Sequence, residues 1–276
     1  MKKTITLILL AMLSLGLFSF IKKDKKKTTN SSSVILGMVL LEDLNSFDLK
    51  KTVNELRTKW KLKVDESESD DKAAVLLIDD YRIVIANISA PIPGKEVENA
   101  AEYNYFWKNG VQETSKHKAH IVVSIMNAGK NPVKENVLYS KIASAIMNNS
   151  SSLGIYIGGR TLVLKKDFYL SNVEMMTEED LPLYNWIYFG IKQLNGKQSV
   201  YTYGLSDFGK MEMEIIDSNK SIQEINEMMF NITHYVIAYN VTLRDGETIG
   251  LSAEQKLKIS ESKGKFLGGN TLKIEF

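Results

Sequence analysis

The sequence predicts a single α+β domain that begins near residue 34. Strand-like segments, in which apolar residues recur with a period of two, alternate with segments whose apolar residues recur about every 3.6 positions. The composition, with 44% hydrophobic and 25% charged residues, is typical of a globular protein. The 276 residues are enough for one large core or two small ones.

The first half of the domain, residues 34–127, contains four strand-like and two helical segments. In order they are a strand at 34–41, a helix at 48–60, strands at 73–78 and 81–88, a helix at 95–106 and a strand at 119–126. This βαββαβ order is the plan of ferredoxin-like folds. We therefore expect a four-stranded antiparallel sheet with both helices on one face.

An acidic segment, DESESDD at residues 65–71, interrupts this pattern. Its carboxylates could bind calcium, but the segment lacks the glycine turn of an EF-hand. A charge run of this kind is typical of a solvated loop, which is our prediction here.

The second half, residues 128–276, has a looser α+β pattern that we expect to share or abut sheets with the first half. Asn131-Pro132 is typical of a helix start, and Ser221 with Glu224 forms a capping-box motif before the longest helix. The remaining predictions are a helix at 167–176, strands at 152–157, 184–191, 200–203 and 211–216, and three short strands near the end.

An N-terminal segment, residues 1–27, precedes the domain and a small-polar linker, TTNSSS, at residues 28–33. Two lysines precede an apolar run at 4–21, and five more lysines follow it. This pattern predicts a signal peptide or a membrane anchor. We expect an exported or membrane-anchored protein, in the periplasm or cell envelope. The lysines after the run leave open the cytoplasmic face of the membrane.

Charge and cysteine content exclude several function classes. The net charge of +2 combines +6 in residues 1–27 with −4 in the remainder. Nucleic-acid binding depends on clustered lysine and arginine, so no nucleic-acid partner is expected for this acidic domain. The absence of cysteine excludes disulfides, thiolate zinc sites and a cysteine nucleophile.

Five aromatic residues are the candidate ligand-binding residues. Tyr184, Trp186 and Tyr188 alternate along a predicted strand, and Tyr201 and Tyr203 alternate along the next. Side chains that alternate in this way project from one face of a sheet. They could form a platform for a base, a sugar or a peptide, or a packed ladder beneath a helix.

Three histidines limit the available acid–base and metal chemistry. Glu113, His117 and His120 could hold zinc with one open position. Side chains three residues apart on a strand point to opposite faces, so we expect no zinc site. Instead His117 is predicted to be solvated, and His120 to anchor the strand end through a hydrogen bond. His234 falls opposite the buried stripe of the last helix and is predicted to be exposed.

No catalytic residue and no cofactor is predicted. The chain has no G-x-S-x-G elbow, P-loop or G-x-G-x-x-G motif. Most hydrolytic triads would also lack a base, because histidine is scarce and cysteine is absent.

Five sequence blocks carry a resemblance to a known family. The chain resembles an uncharacterised, mainly bacterial family catalogued as domain of unknown function 4261. The resemblance implies no activity and no catalytic residue. Members usually lack an export segment, so residues 1–27 depart from that pattern. The blocks are Ala90-Pro-Ile-Pro93, Thr114-Ser-Lys-His117-Lys-Ala-His120, Leu181-Pro-Leu-Tyr-Asn185-Trp-Ile-Tyr-Phe-Gly190, Tyr201-Thr-Tyr-Gly-Leu-Ser-Asp-Phe-Gly209 with Glu212, and Asp245-Gly-Glu-Thr-Ile-Gly250.

These observations favour a non-enzymatic module that binds a protein or peptide. The alternatives are a metal-dependent hydrolase that uses His117 and His120, and a small-ligand or sugar binder that uses the aromatic sheet face.

Overall fold

The first of two β-sheets forms the N-terminal part of the protein. The computed structural model describes residues 33–69, 73–252 and 254–276. Within these residues the sheet has the strand order β2-β3-β4-β5-β1-β6-β7, and every pairing is antiparallel. Its strands are β1 (Ser33–Leu41), β2 (Val64–Ser69), β3 (Ala73–Ile78), β4 (Tyr81–Ile88), β5 (Ala119–Ala128), β6 (Ser152–Ile157) and β7 (Leu162–Lys165).

The second sheet lies in the C-terminal part. Its order in the described residues is β11-β12-β13-β10-β9-β8, with β10 and β13 parallel and the other pairs antiparallel. Its strands are β8 (Tyr188–Leu194), β9 (Lys197–Tyr203), β10 (Met213–Ser218), β11 (Thr248–Ile249), β12 (Leu257–Lys263) and β13 (Asn270–Ile274). The two sheets together confirm the α+β class.

Helices pack on both sheets, and side-chain caps start three of them, two of which, at Asn131 and Ser221, were predicted. The side chains of Asp48, Asn131 and Ser221 each accept a hydrogen bond from a backbone N–H of the first turn. The capping box at Ser221 is complete, which confirms that prediction. The helices are α1 (Leu49–Thr58), α2 (Glu96–Ala101), α3 (Gly110–Thr114), α4 (Pro132–Asn148), α5 (Lys166–Glu174), α6 (Leu183–Trp186) and α7 (Ile222–Ala238).

The ferredoxin-like strand order is wrong. That plan places β1 between β4 and β5, whereas β4 pairs directly with β5 and β1 lies on the far side of β5. An additional strand causes the difference, because β2 occupies Val64–Ser69, within the predicted acidic loop. An edge strand needs only backbone pairing on one side, and charged side chains are common there. Its acidic residues therefore concealed it.

The prediction that both helices lie on one face of this sheet is also wrong. Val53 of α1 packs in the same core as Val39 of β1, whereas Val97 of α2 packs with Leu40 in a second core. Neighbouring strand residues point to opposite faces, so α1 and α2 cover opposite sides of the sheet. Helix α2 also ends at Ala101, five residues before the predicted end.

Helix α4 lies between the two sheets. Leu138 and Ile142 belong to the core of the first sheet, while Val133 and Val137 pack against the core of the second. The apolar side chains of α4 are therefore divided between two cores. The first sheet continues through β7, so the sheets separate near residue 166 rather than at residues 127–128.

The predicted strand at 184–191 begins later than expected. Residues Leu183–Trp186 form the one-turn helix α6, and β8 starts only at Tyr188. The turn is held by tertiary contacts, since the Asn185 side-chain amide donates to the Tyr169 carbonyl over 3.0 Å. Alternating aromatic residues are therefore not extended at this point.

The predicted N-terminal export segment, residues 1–27, and most of the predicted linker lie outside the described residues. Among the helices that the structure describes, none is long and apolar enough to cross a membrane.

A buried arginine joins the two sheets. Arg160 lies between β6 and β7 and is 5% exposed. Its Nη1 donates to Asn136 Oδ1 of α4 and to the Trp186 carbonyl, each over 3.0 Å. Its Nε donates to Asp207 Oδ2 over 2.8 Å, in the turn that follows β9. One guanidinium thus connects the first sheet, α4 and the second sheet.

Arg160→Met is predicted to lower the free energy of unfolding by about 2 to 4 kcal/mol, because the Asn136 and Trp186 oxygens would lose their buried donor. Urea unfolding of the full chain measures this change. The exposed Arg82 of β4 provides the control, since Arg82→Met should stay within about 0.5 kcal/mol of the parent chain. Equal values for the two variants would contradict the role of Arg160.

Candidate aromatic binding surface

The five predicted aromatic residues do not form one row. Tyr188 on β8 and Tyr201 and Tyr203 on β9 alternate with Phe189 and Val200, which belong to the core beneath α7. The three tyrosines therefore lie on the outer face of the second sheet. Tyr184 and Trp186 belong to α6, outside any strand.

Trp186 is part of the junction between the sheets. It is 1% exposed, and its indole Nε1 donates to Ser140 Oγ of α4 over 2.9 Å. Its ring stacks on Phe208 with the centroids 5.8 Å apart. It is therefore unavailable as a binding residue in this structure.

Tyr184 connects the core beneath α7 to the surface. Its ring stacks on Phe230 of α7 at 4.9 Å and meets the edge of Phe106 at 5.1 Å. Its hydroxyl accepts a hydrogen bond from Asn226 Nδ2 over 3.0 Å. Burial raises the pKa of this phenol, so the hydroxyl stays protonated at neutral pH.

The outer face of the second sheet carries a continuous row of rings. Tyr201 meets Tyr188 edge to face at 6.0 Å and stacks on Phe266 at 5.3 Å. Gly190, opposite Tyr201, makes the packing possible, because a Cβ there would lie 2.1 Å from Tyr201 Cζ. Tyr188 and Tyr201 therefore project from the same face of the sheet, as their alternation predicted.

An aromatic loop missed by the sequence analysis extends this row. Tyr103, Tyr105 and Phe106 follow α2 and are 52%, 42% and 43% exposed. The Tyr188 hydroxyl donates to the Tyr103 carbonyl over 3.2 Å, and the Asn104 side-chain amide donates to a carbonyl of β7. The aromatic run Tyr-Asn-Tyr-Phe-Trp at 103–107 is a sequence signal for this surface, but its first four residues fall within the helix predicted at 95–106.

These residues define an exposed aromatic surface at the junction of the sheets. A small internal space of about 20 Å³ lies beneath it, among Tyr105, Tyr184 and Tyr188. Such a space holds little more than one water molecule. The aromatic surface consists of the exposed Tyr103, Tyr105 and Phe106, the half-buried Tyr184 and Tyr188, and the mostly buried Tyr201.

His117 is buried, so the prediction that it is solvated is wrong. Its Nε2 accepts a hydrogen bond from the Ile92 N–H over 2.8 Å, and its Nδ1 lies 2.6 Å from the Thr114 carbonyl. Nδ1 therefore carries the proton, and both ring nitrogens are used within the chain. The short loop between Thr114 and β5 turns the ring inward, which the strand periodicity could not indicate.

His120 anchors the start of β5, as predicted. Its Nδ1 donates to the Ala90 carbonyl over 2.8 Å. Together His117 and His120 hold the Ala90–Pro93 segment, which is one of the five sequence blocks that carry the resemblance. Glu113 pairs with Lys165 at 3.3 Å, and hydrogen bonding to Trp107 lowers the pKa of its carboxyl. Among the described residues no three acidic or histidine side chains are grouped as metal ligands.

Two other blocks of the resemblance also stabilise turns of the fold. The Glu212 carboxylate accepts hydrogen bonds from Thr202 Oγ1 and the Gly204 N–H, each over 2.8 Å, and closes the turn that carries Asp207. Burial raises the pKa of Glu212 despite these bonds. In the last block, Asp245 Oδ1 accepts from the Glu261 N–H over 2.8 Å and fixes the turn before β11.

The fold and this surface define an α+β protein of two sheets with an aromatic surface at their junction. The family described as Domain of unknown function (DUF4261) matches residues 201–275, which span β9 to β13 and include α7. This match confirms the resemblance over that part of the chain. The family description names no function, so the function of this chain is unknown. Neither a curated protein nor a solved structure matches the chain.

Lowering the pH is predicted to destabilise the protein partly through His120. Burial lowers the pKa of His120 below its ordinary value of 6.5, so the unfolded chain takes up the proton first. The stabilisation from the neutral ring is complete above pH 6.5 and is lost as the pH falls through the folded-state pKa.

Urea unfolding between about pH 7.5 and pH 5, with His120→Gln as the comparison, measures this effect. The difference in unfolding free energy between the parent chain and the variant should narrow as the pH falls. A constant difference across this range would contradict the assignment.

Proposed function

We propose that this protein is a non-enzymatic module that binds a protein or peptide through the aromatic surface. The observation that carries the proposal is the exposure of three neighbouring aromatic rings, Tyr103, Tyr105 and Phe106, on a loop held by hydrogen bonds. Tyrosine is enriched among the residues that dominate protein–protein binding energies. No nucleic-acid partner is proposed, since the domain is mildly acidic.

The loop geometry supports a preformed binding surface. Tyr105 and Phe106 lie 4.4 Å apart, and Phe106 stacks on Phe168 of α5 at 4.7 Å. Rings that are already fixed lose little conformational entropy when a partner binds. Burial also raises the pKa of Tyr188, so its hydroxyl stays protonated and keeps the hydrogen bond to the Tyr103 carbonyl that holds the loop.

The small volume of the cavity among these rings favours a protein or peptide over a small ligand or sugar as the binding partner. Small-molecule sites are concave and usually enclose about 300 to 1,000 Å³. The space beneath the rings is about 20 Å³. A peptide laid across exposed rings needs no such cavity.

Photo-crosslinking in cells tests the surface. Tyr105→p-benzoylphenylalanine in the full chain should give an adduct of discrete mass with a partner protein. Phe106→Ala in the same chain should reduce the yield at least about tenfold, because it removes the ring packed against position 105.

Leu194→p-benzoylphenylalanine is the control, since Leu194 is 64% exposed at the end of β8 and belongs to neither proposed surface. Adducts of the same mass and yield at both positions would indicate nonspecific contact with the crosslinked protein rather than binding through the aromatic surface, and would contradict the proposal. No adduct at position 105 would contradict the proposal.

We further propose that residues 1–27 export the domain or hold it at the membrane, with the periplasm or cell envelope as its location. The support is the apolar run of 18 residues at 4–21, which is long enough to enter a bilayer. Fractionation of cells expressing the full chain should place it with the membranes, or place a shortened chain in the exported fraction. Full-length protein in the soluble cytosol would contradict this proposal.

A further inference from the structure

A second concave surface lies between the N-terminal half of α4 and the C-terminal end of α7. Its volume is about 840 Å³. The apolar floor of the groove is lined by Val133 and Val137 of α4, by Leu181 just before α6, and by Ile237 of α7. None of these residues belongs to the aromatic surface, so this groove is a separate feature.

Lysines surround the floor. Lys130, Lys134, Lys141 and Lys210 line the groove, against Glu178 as the acidic lining residue. In the part of the chain that the structure describes, only Lys134 of the four has a carboxylate within 4.0 Å. Positive charge is thus concentrated here although residues 28–276 carry a net charge of −4.

The backbone at the start of α4 does not supply an anion site. Asn131 Oδ1 accepts from the Lys134 N–H, and the Glu135 carboxylate accepts from the N–H groups of Gly129, Lys130 and Asn131. Four backbone N–H groups at this end of the helix are therefore already occupied. What the groove offers to an anion is the flexible ammonium groups of the lysines.

The spacing of the lysines indicates the shape of the ligand. Lys134 and Lys141 are seven residues apart on α4, or about 10 Å along the helix axis. The pair between Lys134 and Asp79 is solvent-exposed and weak, so a partner carboxylate can replace Asp79. Val137 lies between them on the same side and lines the floor. Carboxylates seven residues apart on a partner helix would match this spacing, with apolar residues between them facing the floor.

Lys210 faces α4 from across the groove. Its Nζ donates to Asn240 Oδ1 over 2.8 Å and to Thr242 Oγ1 over 3.2 Å, both neutral acceptors. The ammonium group is thereby held beside the C-terminal end of α7 with its charge uncompensated by a carboxylate. Cations therefore lie on two sides of an apolar floor.

We infer that this groove docks an acidic amphipathic helix of a partner protein. Charge complementarity selects an acidic partner, and the apolar floor selects one with hydrophobic residues between its carboxylates. The inference does not depend on the aromatic surface, so either can fail without the other.

Fluorescence anisotropy with designed helical peptides tests the docking, using the full chain in a non-ionic detergent. One labelled peptide carries glutamates at positions i and i+7 with leucines at i+3 and i+4. A second peptide of the same composition has the glutamates at i and i+5. The first should bind at least about threefold more tightly, and salt should weaken its binding.

Charge reversal locates the site. Lys130→Glu with Lys141→Glu should weaken binding of the first peptide at least about tenfold, since both residues line the groove without an ion pair. Lys118→Glu with Lys256→Glu changes the net charge equally at exposed positions outside the groove and should leave binding unchanged. Both variants should melt within about 4 °C of the parent chain.

Four outcomes would overturn the inference. They are no binding of either peptide, equal affinity for the two peptides, equal weakening in both variants, and transfer of the effect to another occupant. Another occupant would be indicated if the parent chain bound phosphatidylserine vesicles or self-associated in sedimentation. The groove variant would then lose that property while its affinity for the first peptide stayed unchanged.

Discussion

The buried guanidinium of Arg160 determines how the two sheets are placed relative to each other. Each sheet has a hydrophobic core of its own, and apolar packing alone is non-directional. The guanidinium is directional, because its N–H groups require acceptors at fixed angles. Those acceptors come from α4, from α6 and from the turn that contains Asp207. The Trp186 bond to Ser140 adds a second directional contact between the same elements.

The sequence predicted the elements better than their arrangement. Helix starts at Asp48, Asn131 and Ser221 were predictable because a capping side chain satisfies backbone groups within a few residues. The order of the strands was not predictable in this way, because it depends on pairing between residues that are far apart in the sequence. One acidic edge strand, Val64–Ser69, reverses the chain direction and removes the ferredoxin-like topology. This strand is held by backbone hydrogen bonds to β3, by the Arg57–Glu66 ion pair and by Val64, and its other residues show no alternating hydrophobic pattern.

The candidate site was predictable in part for the same reason. Tyr188 and Tyr201 face outward because they lie on strands, where alternation holds. Trp186 and Tyr184 do not lie on a strand. The Asn185 side-chain amide donates a hydrogen bond to the Tyr169 carbonyl, and the chain forms a helical turn there. For the histidines, the strand pattern was applied where a loop determines the structure. Periodicity separated His117 from His120, yet both rings bind backbone groups of the same Ala90–Pro93 segment, which a loop brings to them.

Both proposed surfaces lie across the junction that Arg160 holds. The aromatic surface combines the Tyr103 loop of the first sheet with Tyr188 of the second, joined by the hydrogen bond between them. The lysine groove combines α4, which Arg160 contacts through Asn136, with the end of α7. A rotation of one sheet against the other would therefore change both surfaces at once. Buried ion pairs are often no more stabilising than well-packed apolar residues, but the hydrogen bonds of Arg160 have fixed directions, and two composite surfaces require a fixed orientation.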